Sequence, residues 1–159
     1  MTIKILDDNT INKIAAGEVV ERPLNVVKEL LENSLDAGAK NIIIEIEKAG
    51  KKTIRITDDG CGMEKEDLLL CVCRHATSKI SKFDDLLNVS TLGFRGEALA
   101  SIAAISMLDI KTQSKNSSSG WHYYMEGGKQ TEIKPWAGSG GTIVEVKNLF
   151  FNTPVREKF

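Results

Sequence analysis

The hydrophobic pattern of the chain predicts three helices. Apolar residues recur at helical spacing from Pro23 to Ala37, and Asp36-Ala37-Gly38 is a sequence at which helices end. A second helix is predicted from Glu64 to Arg74. The segment Glu97 to Ile105 is rich in alanine and apolar on most of its sides, so we expect a buried helix there.

Period-two alternation predicts strands in much of the rest. Asn41 to Lys48 alternates strictly, and Ala49-Gly50-Lys51 turns the chain into a second strand, which indicates an antiparallel hairpin. Another hairpin is expected around Gly127-Gly128. The predicted strands beyond the first are Thr53 to Asp58, Met107 to Thr112, two within Trp121 to Trp136, and Thr142 to Lys147.

The composition is that of one soluble globular domain. The 159 residues carry 21 Lys and Arg against 22 Asp and Glu, and a net charge of -1 argues against a constitutively basic nucleic-acid binder. No apolar run approaches the roughly 18 residues of a membrane helix, so we expect an intracellular protein without a membrane span. A helix-start signature at Thr153-Pro154, close to the last residue, leads us to expect a fragment of a longer protein.

The first predicted helix carries a polar stripe. At about 100° per residue, Glu29, Asn33 and Asp36 fall on one helix face, away from the apolar arc. A stripe of this kind is ordinarily a solvated face. It becomes a candidate site only if another element of the fold covers it.

Two strand positions direct polar groups toward the core. Asp58 shares its parity with Ile54 and Ile56, so its carboxylate needs donors from backbone amides or from a ligand. The alternative is that Asp58 only organises its own turn. Thr142 also faces the core side of its strand, and its alternative is a core threonine bonded to a nearby carbonyl.

Glycine-rich segments are candidate sites for a ligand. Gly93-Phe94-Arg95-Gly96 precedes a helix, whose free N–H groups and positive dipole end attract anions, and Arg95 adds a guanidinium. Gly60 and Gly62 permit another group to approach the backbone closely. Thr77-Ser78-Lys79 adds hydroxyls and a cation in another loop, or forms only a polar turn.

A metal site made of cysteine and histidine is not predicted. Cys61, Cys71, Cys73 and His75 have suitable side chains, but positions 71 and 73 of a helix point about 200° apart. We therefore interpret the three cysteines as buried thiols in a reducing compartment. His122 is expected to be a solitary strand residue.

Several segments together resemble the MutL family of DNA mismatch repair proteins. They are Glu29 to Gly38, Asp58 to Met63, Arg74 to Lys79 and Gly93 to Leu99, and the opening Ile14 to Pro23 is equally typical. The resemblance implies the ATPase superfamily shared with gyrase, the heat-shock chaperone and the histidine kinases. The implied fold class is α+β, a two-layer α/β sandwich with a mixed, mostly antiparallel sheet, helices on one face and ATP between the layers (the Bergerat ATP-binding fold). The chain, residues 1–159, would be this ATP-binding domain without the transducer and dimerisation domains that follow it in the family.

The resemblance also implies roles for matching residues. Glu29 is similar to the general base that orients the hydrolytic water, and Asn33 to the ligand that holds Mg²⁺ against the phosphates. Asp58 is similar to the residue that accepts the adenine amino group, and Thr142 to one that supports it through water. Asp59 stands where the family usually has asparagine, and its opposite parity should aim it outward. The other implied ATP-binding residues are Asp36, Ala37, Gly60, Gly62, Met63, Thr77, Ser78, Gly93, Phe94, Arg95 and Gly96.

A working cycle follows from the same resemblance. Mg²⁺-dependent ATP binding would order a lid from about Ile80 to Gly96 and drive dimerisation with a second MutL-type subunit, and hydrolysis would reopen the clamp. The implied partners are a mismatch-recognition protein, a downstream nuclease or helicase, and DNA in the full-length protein. The location would be cytoplasmic in a bacterium and nuclear in a eukaryote. Because the family uses a lysine from the following domain at the γ-phosphate, we expect weak or no hydrolysis by this chain alone.

Two other functions stay open at this point. The chain is alternatively a non-catalytic nucleotide-binding or partner-interaction module, for which replacing Glu29 would not change hydrolysis. A phosphotransferase of the histidine-kinase type is the third hypothesis, although the chain lacks an apparent phosphoacceptor helix.

Overall fold

The strands form a single sheet in the computed structural model, which describes residues 20–72 and 96–153. They are β1 (Ile42–Glu47), β2 (Thr53–Asp58), β3 (Met107–Gln113), β4 (Gly120–Glu126), β5 (Lys129–Trp136) and β6 (Gly141–Lys147). The six strands lie in the order β1-β2-β6-β3-β4-β5. Every pairing among these described strands is antiparallel. The expected sheet was mixed and mostly antiparallel, and the described strands contain no parallel pair.

Within the described residues, three helices accompany this sheet. They are α1 (Pro23–Asp36), α2 (Lys65–Cys71) and α3 (Gly96–Ala104), and a short 3-10 turn at Lys48–Gly50 joins β1 to β2. Proline occupies the first position of α1, and Asn25 Oδ1 accepts the N–H groups of Glu21 and Arg22 just before it. The predicted helices and hairpins within the described residues are confirmed, with small shifts at their ends.

The helices pack on one face of the sheet. Strand residues of one parity are buried, and α3 is buried from Ala98 to Ala104, as its apolar surface predicted. The other face is polar and carries ion pairs, among them Arg55 Nε to Glu145 Oε2 at 2.8 Å. The expected two-layer sandwich is therefore confirmed. The fully buried strand residues facing the helices include Ile54, Ile56, Leu108, Ile110 and Val146.

Strand β1 shows that alternation predicts a strand better than it predicts burial. Ile42, Ile44 and Ile46 share the parity of a half-buried strand, yet Ile44 and Ile46 are exposed. The reason is positional, because β1 is the edge of the described sheet and α1 packs on β2.

Helix α1 runs in the same direction as β2. Its first residue lies at the start of β2, where a Cβ built on Gly50 would be 2.7 Å from Pro23 Cβ. Its last turn lies at the end of β2, where Ser34 is bonded to Asp58. Leu35 is an apolar residue of the predicted helix but is exposed, because it does not lie on the stripe of α1 that faces the sheet. The residues that α1 buries are Val26, Leu30 and Ser34.

No helix within residues 20–72 and 96–153 is both long enough and apolar enough to cross a bilayer. Two predicted helices reach beyond these ranges. The last residues of the helix predicted to end at Arg74 lie outside the described residues, and so does Pro154, where another helix was expected to begin.

Candidate functional site

A row of three polar side chains crosses three adjacent strands. Asp58 of β2 lies directly opposite Thr142 of β6, which in turn lies opposite Thr112 of β3. Opposite residues in an antiparallel sheet share a face, and these three share the face of the buried Ile56. The prediction that Asp58 and Thr142 face the core side is confirmed.

Thr112 joins this row to the turn after β2, although it was not among the residues predicted from the sequence. Its Oγ1 lies 2.8 Å from Thr142 Oγ1 and 3.3 Å from the carbonyl oxygen of Gly141. It also accepts the N–H of Met63 at 2.9 Å. When Thr112 donates its one proton to the carbonyl oxygen of Gly141, it accepts a hydrogen bond from Thr142, and Thr142 keeps its own lone pairs as acceptors. The available signal was strand parity, which Thr112 shares with the buried Ile110.

Asp58 is held by one backbone donor and one side-chain donor. The N–H of Gly60 donates to Oδ1 at 2.9 Å, and the hydroxyl of Ser34 donates to Oδ2 at 2.7 Å. The expectation that an inward carboxylate must be partnered is confirmed, and Asp58 also organises its own turn, as the alternative proposed. Each carboxylate oxygen has a second lone pair, so the group can still accept from a ligand. Ser34 was missed, although its spacing of four residues from Leu30 marked it as a polar residue on the buried stripe.

Glu29 and Asn33 lie on the side of α1 toward β6. The N–H of Asp59 bonds to Asn41, so the odd-numbered residues of β2 bond to β1, and the even-numbered residues, which face the helices, bond to β6. For L-residues this places β6 to the right of β2 when the sheet is viewed from the helices with β2 pointing upward. Because α1 runs along β2 with Leu30 and Ser34 facing the sheet, its right-handed turn carries Glu29 and Asn33 to that same side. Both side chains are half-buried, and Glu29 Oε2 is shielded from solvent. Asp36, the third member of the predicted stripe, is exposed at the end of the helix.

The turn after β2 packs tightly between α1 and β3. The N–H of Cys61 donates to the carbonyl of Ala37 at 3.0 Å, and a Cβ on Gly60 would be 2.7 Å from Ala37 Cβ. Gly62 has φ +69, and a Cβ there would collide with the carbonyl oxygen of Gln113. These glycines therefore bring the predicted residues Ala37, Gly60 and Gly62 together at the end of the row.

Asp59 points away from the row, as its parity predicted. Its Oδ1 accepts the N–H groups of Lys40 and Asn41, and its Oδ2 accepts Asn41 Nδ2 at 2.8 Å. The hydrogen bonds from Asn41 and Lys40 lower the pKa of Asp59 to about 2. Asp59, the first residue after β2, therefore stabilises the start of β1, and Asp58 is the acid that belongs to the row.

A groove of about 510 Å³ opens on the opposite face of the sheet. It touches Asp58 and Thr142 but includes neither Glu29 nor Asn33, so it is distinct from the space beside α1. Its walls are formed by Asn41, Ile43, Thr57, Trp136 and Ile143, with the glycine-rich loop 138–141.

Part of the predicted site lies outside the described residues. This applies to Thr77, Ser78, Gly93, Phe94 and Arg95, and Gly96 is described only as the first residue of α3. The ranges 20–72 and 96–153 contain no group of His, Cys, Asp and Glu suited to hold a metal.

The cysteines and the histidine of the described ranges differ in part from expectation. Cys71 Sγ lies 3.0 Å from the Leu68 carbonyl oxygen, in keeping with a structural thiol. The expectation of buried thiols is wrong for Cys61, which is exposed. His122 lies on a strand, as predicted, but is not solitary, because its Nε2 lies 2.6 Å from Asp109 Oδ2. Cys73 and His75 lie outside the described residues.

Comparison with known proteins places this geometry in a family. Residues 21–137 match the model of the histidine kinase-, DNA gyrase B- and HSP90-like ATPases. The chain is 62% identical over 159 residues to the DNA mismatch repair protein MutL of Endomicrobium trichonymphae, covering all of this chain and 27% of that protein. It is 58% identical over 157 residues to MutL of Geobacter sulfurreducens, covering 99% of this chain and 26% of that protein. The chain thus spans about a quarter of the length of these relatives.

Solved structures show the same relationship. The Aquifex aeolicus MutL ATPase domain complexed with ADP superposes with a TM-score of 0.71 at 35% identity, covering 89% of this chain and 48% of that one. The N-terminal domain of a DNA repair protein superposes with a TM-score of 0.77 at 35% identity, covering 97% of this chain and 45% of that one. The resemblance to MutL proteins that the motifs indicated is confirmed. The chain belongs to the family of histidine kinase-, DNA gyrase B- and HSP90-like ATPases.

Proposed function

We propose that this chain is the ATP-binding module of a MutL-type DNA mismatch repair protein and that it binds ATP with Mg²⁺ beside α1, over the row of Asp58, Thr142 and Thr112. The observation that carries the proposal is the hydrogen bond from Ser34 to Asp58. It holds the row against the helix that bears Glu29 and Asn33. The MutL relatives and the ADP complex of the Aquifex aeolicus domain support the same ligand class.

The row suits the recognition of adenine. With Oδ1 and Oδ2 each accepting one hydrogen bond from the chain, Asp58 is oriented and still offers lone pairs to an exocyclic amine. Thr142, bonded to Thr112, offers a hydroxyl beside it that a bridging water could use. The base would lie against Gly60 and Gly62, with Asp36, Ala37 and Met63 at its margin.

The α1 face suits the phosphate end of the nucleotide. Asn33 would hold Mg²⁺ through its amide oxygen, and the ion would supply charge neutralisation at the phosphates. Glu29, half-buried one helical turn away, would accept a proton from the attacking water, a role that contributes about 10²–10⁴-fold in rate. Thr77, Ser78, Gly93, Phe94, Arg95 and Gly96 are proposed as the phosphate loop and lid.

The biological role is proposed by the same reasoning. ATP binding would order the lid and close a clamp with a second MutL-type subunit, and hydrolysis would reopen it. The clamp would work with DNA, a mismatch-recognition protein and a downstream nuclease or helicase. The chain alone, proposed as residues 1–159 of a longer protein, is expected to bind ATP better than it hydrolyses it.

Titration of a fluorescent ATP analogue, with and without Mg²⁺, tests the binding proposal. We expect Asp58→Asn to weaken binding at least tenfold, because the amide replaces one acceptor oxygen with a donor facing the adenine amine. The matched control is Asp109→Asn on the opposite face of the sheet, which should bind like the wild type. Equal affinities for Asp58→Asn and wild type would refute the proposed base reader.

A single-turnover assay separates the enzyme from the non-catalytic alternative. The assay uses a full-length MutL-type protein that carries this module. In that protein we expect Glu29→Gln to retain analogue binding while its hydrolysis rate falls at least a hundredfold, as for loss of a general base. Two outcomes would favour the non-catalytic nucleotide-binding module. One is equal hydrolysis rates for Glu29→Gln and wild type, and the other is no hydrolysis at all by the full-length MutL-type protein that carries this module.

A further inference from the structure

Gln113 is a buried glutamine at the end of β3 whose side chain joins two loops. It is 8% exposed. Its Nε2 donates to the carbonyl of Ser117 at 3.0 Å, and its Oε1 accepts the N–H of Gly138 at 2.9 Å. A buried amide that is bonded at both ends has little freedom to move. One side chain therefore holds the loop of residues 114–119 to the glycine-rich loop 138–141.

The end of β3 holds the beginning of β6 from both faces of the sheet. In the ladder Thr112 lies opposite Thr142, and Gln113 lies opposite Gly141. Because successive side chains alternate along a strand, Thr112 is on the helix face and Gln113 is on the polar face. Thr112 contacts the Thr142 hydroxyl on the first face, and Gln113 bonds to Gly138 on the second. The segment from Gly138 to Thr142 is therefore fixed on both sides.

The glycine-rich loop leads directly into the polar row of the candidate site. Gly141 has φ +103, and a Cβ there would collide with the carbonyl oxygen of Asp58, so this end of the loop lies in close contact with β2. Thr142 is the next residue along the chain. The carboxylate of Asp58 is held by two donors that do not belong to this loop. A displacement at Gly138 would therefore move the Thr142 hydroxyl more than the Asp58 carboxylate.

We propose that Gln113 is a positioning residue for the base of the nucleotide. By holding Gly138 it fixes the Thr142 hydroxyl where a water molecule bridges that hydroxyl to a ring nitrogen of adenine. The inference rests on the proposed function, in which Thr142 acts through water and Asp58 accepts the amine. The ring nitrogens N1 and N7 lie on either side of the 6-amino group, and both are hydrogen-bond acceptors. The bridging water can therefore donate one hydrogen to a ring nitrogen and the other to a lone pair of Thr142.

A purely structural role for Gln113 makes a different prediction. If the glutamine only stabilises two loops, its loss weakens the binding of every nucleotide to the same extent, because a smaller fraction of the chain is competent to bind. A positioning role weakens only a ligand whose ring nitrogen the water contacts. The affinity of an analogue that lacks this nitrogen then stays unchanged. The ratio of the two affinities therefore separates the two roles, and it does not depend on how much of the chain is folded.

Competitive titration with ATP, 1-deaza-ATP and 7-deaza-ATP measures this ratio, because each deaza analogue has a C–H group in place of one ring nitrogen. For the wild type we expect one of the two analogues to bind about three- to tenfold more weakly than ATP, as for the loss of one hydrogen bond. Gln113→Met removes both side-chain hydrogen bonds at nearly constant length. It should weaken ATP binding until this ratio falls below about twofold, with the affinity of that analogue unchanged. The matched control is Gln130→Met, at an exposed position of β5, which should keep the wild-type ratio.

A second variant keeps the test decisive if Gln113→Met does not fold. Gln113→Glu keeps an acceptor oxygen for Gly138 and loses the donor to Ser117, so it should retain the wild-type ratio. The proposal is overturned by a wild type that binds ATP and both analogues equally, by a Gln113→Met chain with the wild-type ratio, or by a Gln113→Glu chain that loses it. In each of these cases ATP still binds to the wild type, and the proposed function stands. A wild type that binds none of the three nucleotides would refute the proposed function, and this inference with it.

Discussion

Ser34 Oγ donates a 2.7 Å hydrogen bond to Asp58 Oδ2, and this contact ties helix α1 to the end of β2. The two residues are 24 positions apart in the chain, and Ser34 is buried. Through this bond the helix bearing Glu29 and Asn33 keeps its position beside the polar row. Folding and the candidate site therefore depend on the same pair.

Ser34→Ala should destabilise the protein. The substitution removes a hydrogen bond to a partly buried carboxylate, which is worth about 1.5–3 kcal/mol, and leaves Asp58 Oδ2 without this donor. Urea unfolding measures the change in the free energy of unfolding. Ser118→Ala, at an exposed loop position, is the control and should lie within about 0.5 kcal/mol of wild type. A Ser34→Ala protein as stable as this control would show that the bond contributes nothing.

Thr112→Val should destabilise the protein although it keeps the shape of the side chain. The loss of Oγ1 leaves the N–H of Met63 without its acceptor and Thr142 without its hydroxyl partner, at a cost of about 1–3 kcal/mol. The control is Thr131→Val, whose hydroxyl bonds to the carbonyl of Tyr124 at an exposed position and should matter less. Thermal unfolding of both variants is the measurement, and equal melting temperatures would contradict the prediction.

Gly62→Ala and Gly38→Ala separate backbone strain from steric collision. Both glycines have positive φ, but a Cβ on Gly38 meets nothing within 4 Å, whereas one on Gly62 collides with Gln113. Gly38→Ala should cost about 1–2 kcal/mol from strain alone. Gly62→Ala should cost more, or prevent folding, because the backbone of β3 would have to move. Denaturant unfolding gives the comparison, and a smaller cost at Gly62 than at Gly38 would be inconsistent with the packing described.

Asp59 should stabilise the fold at neutral pH and lose this effect in acid. Hydrogen bonds from Asn41 and Lys40 lower its pKa from 3.8 to about 2, so the folded state favours the charged form. The stabilisation is fully present above pH 4 and is lost as the pH falls from about 4 through 2. The difference in unfolding free energy between wild type and Asp59→Asn should shrink across this interval. A difference that stays constant from pH 6 to 2 would contradict this assignment.

Local pattern was sufficient for the secondary structure. Helical spacing located α1, and an alanine-rich segment that is apolar on most sides located α3. Alternation located the first hairpin, and the Gly127-Gly128 turn located the second. Parity alone turned Asp58 and Thr142 toward the core side of the sheet. The motifs at Glu29, Asn33 and Asp58 indicated the ATPase family that the comparisons confirmed.

The partners of those residues were decided by contacts between elements far apart in the chain. Ser34 and Thr112 acquire their roles only when α1 packs on β2 and β3 aligns with β6, and no local period encodes those pairings. Strand order likewise made β1 an edge of the sheet that residues 20–72 and 96–153 form, so the isoleucines that alternate as in a half-buried strand remain exposed. Sequence determines which way a side chain points within its own element. Which groups surround that side chain depends on the tertiary packing, because a residue is buried by the neighbouring layers of the fold and not by its own segment.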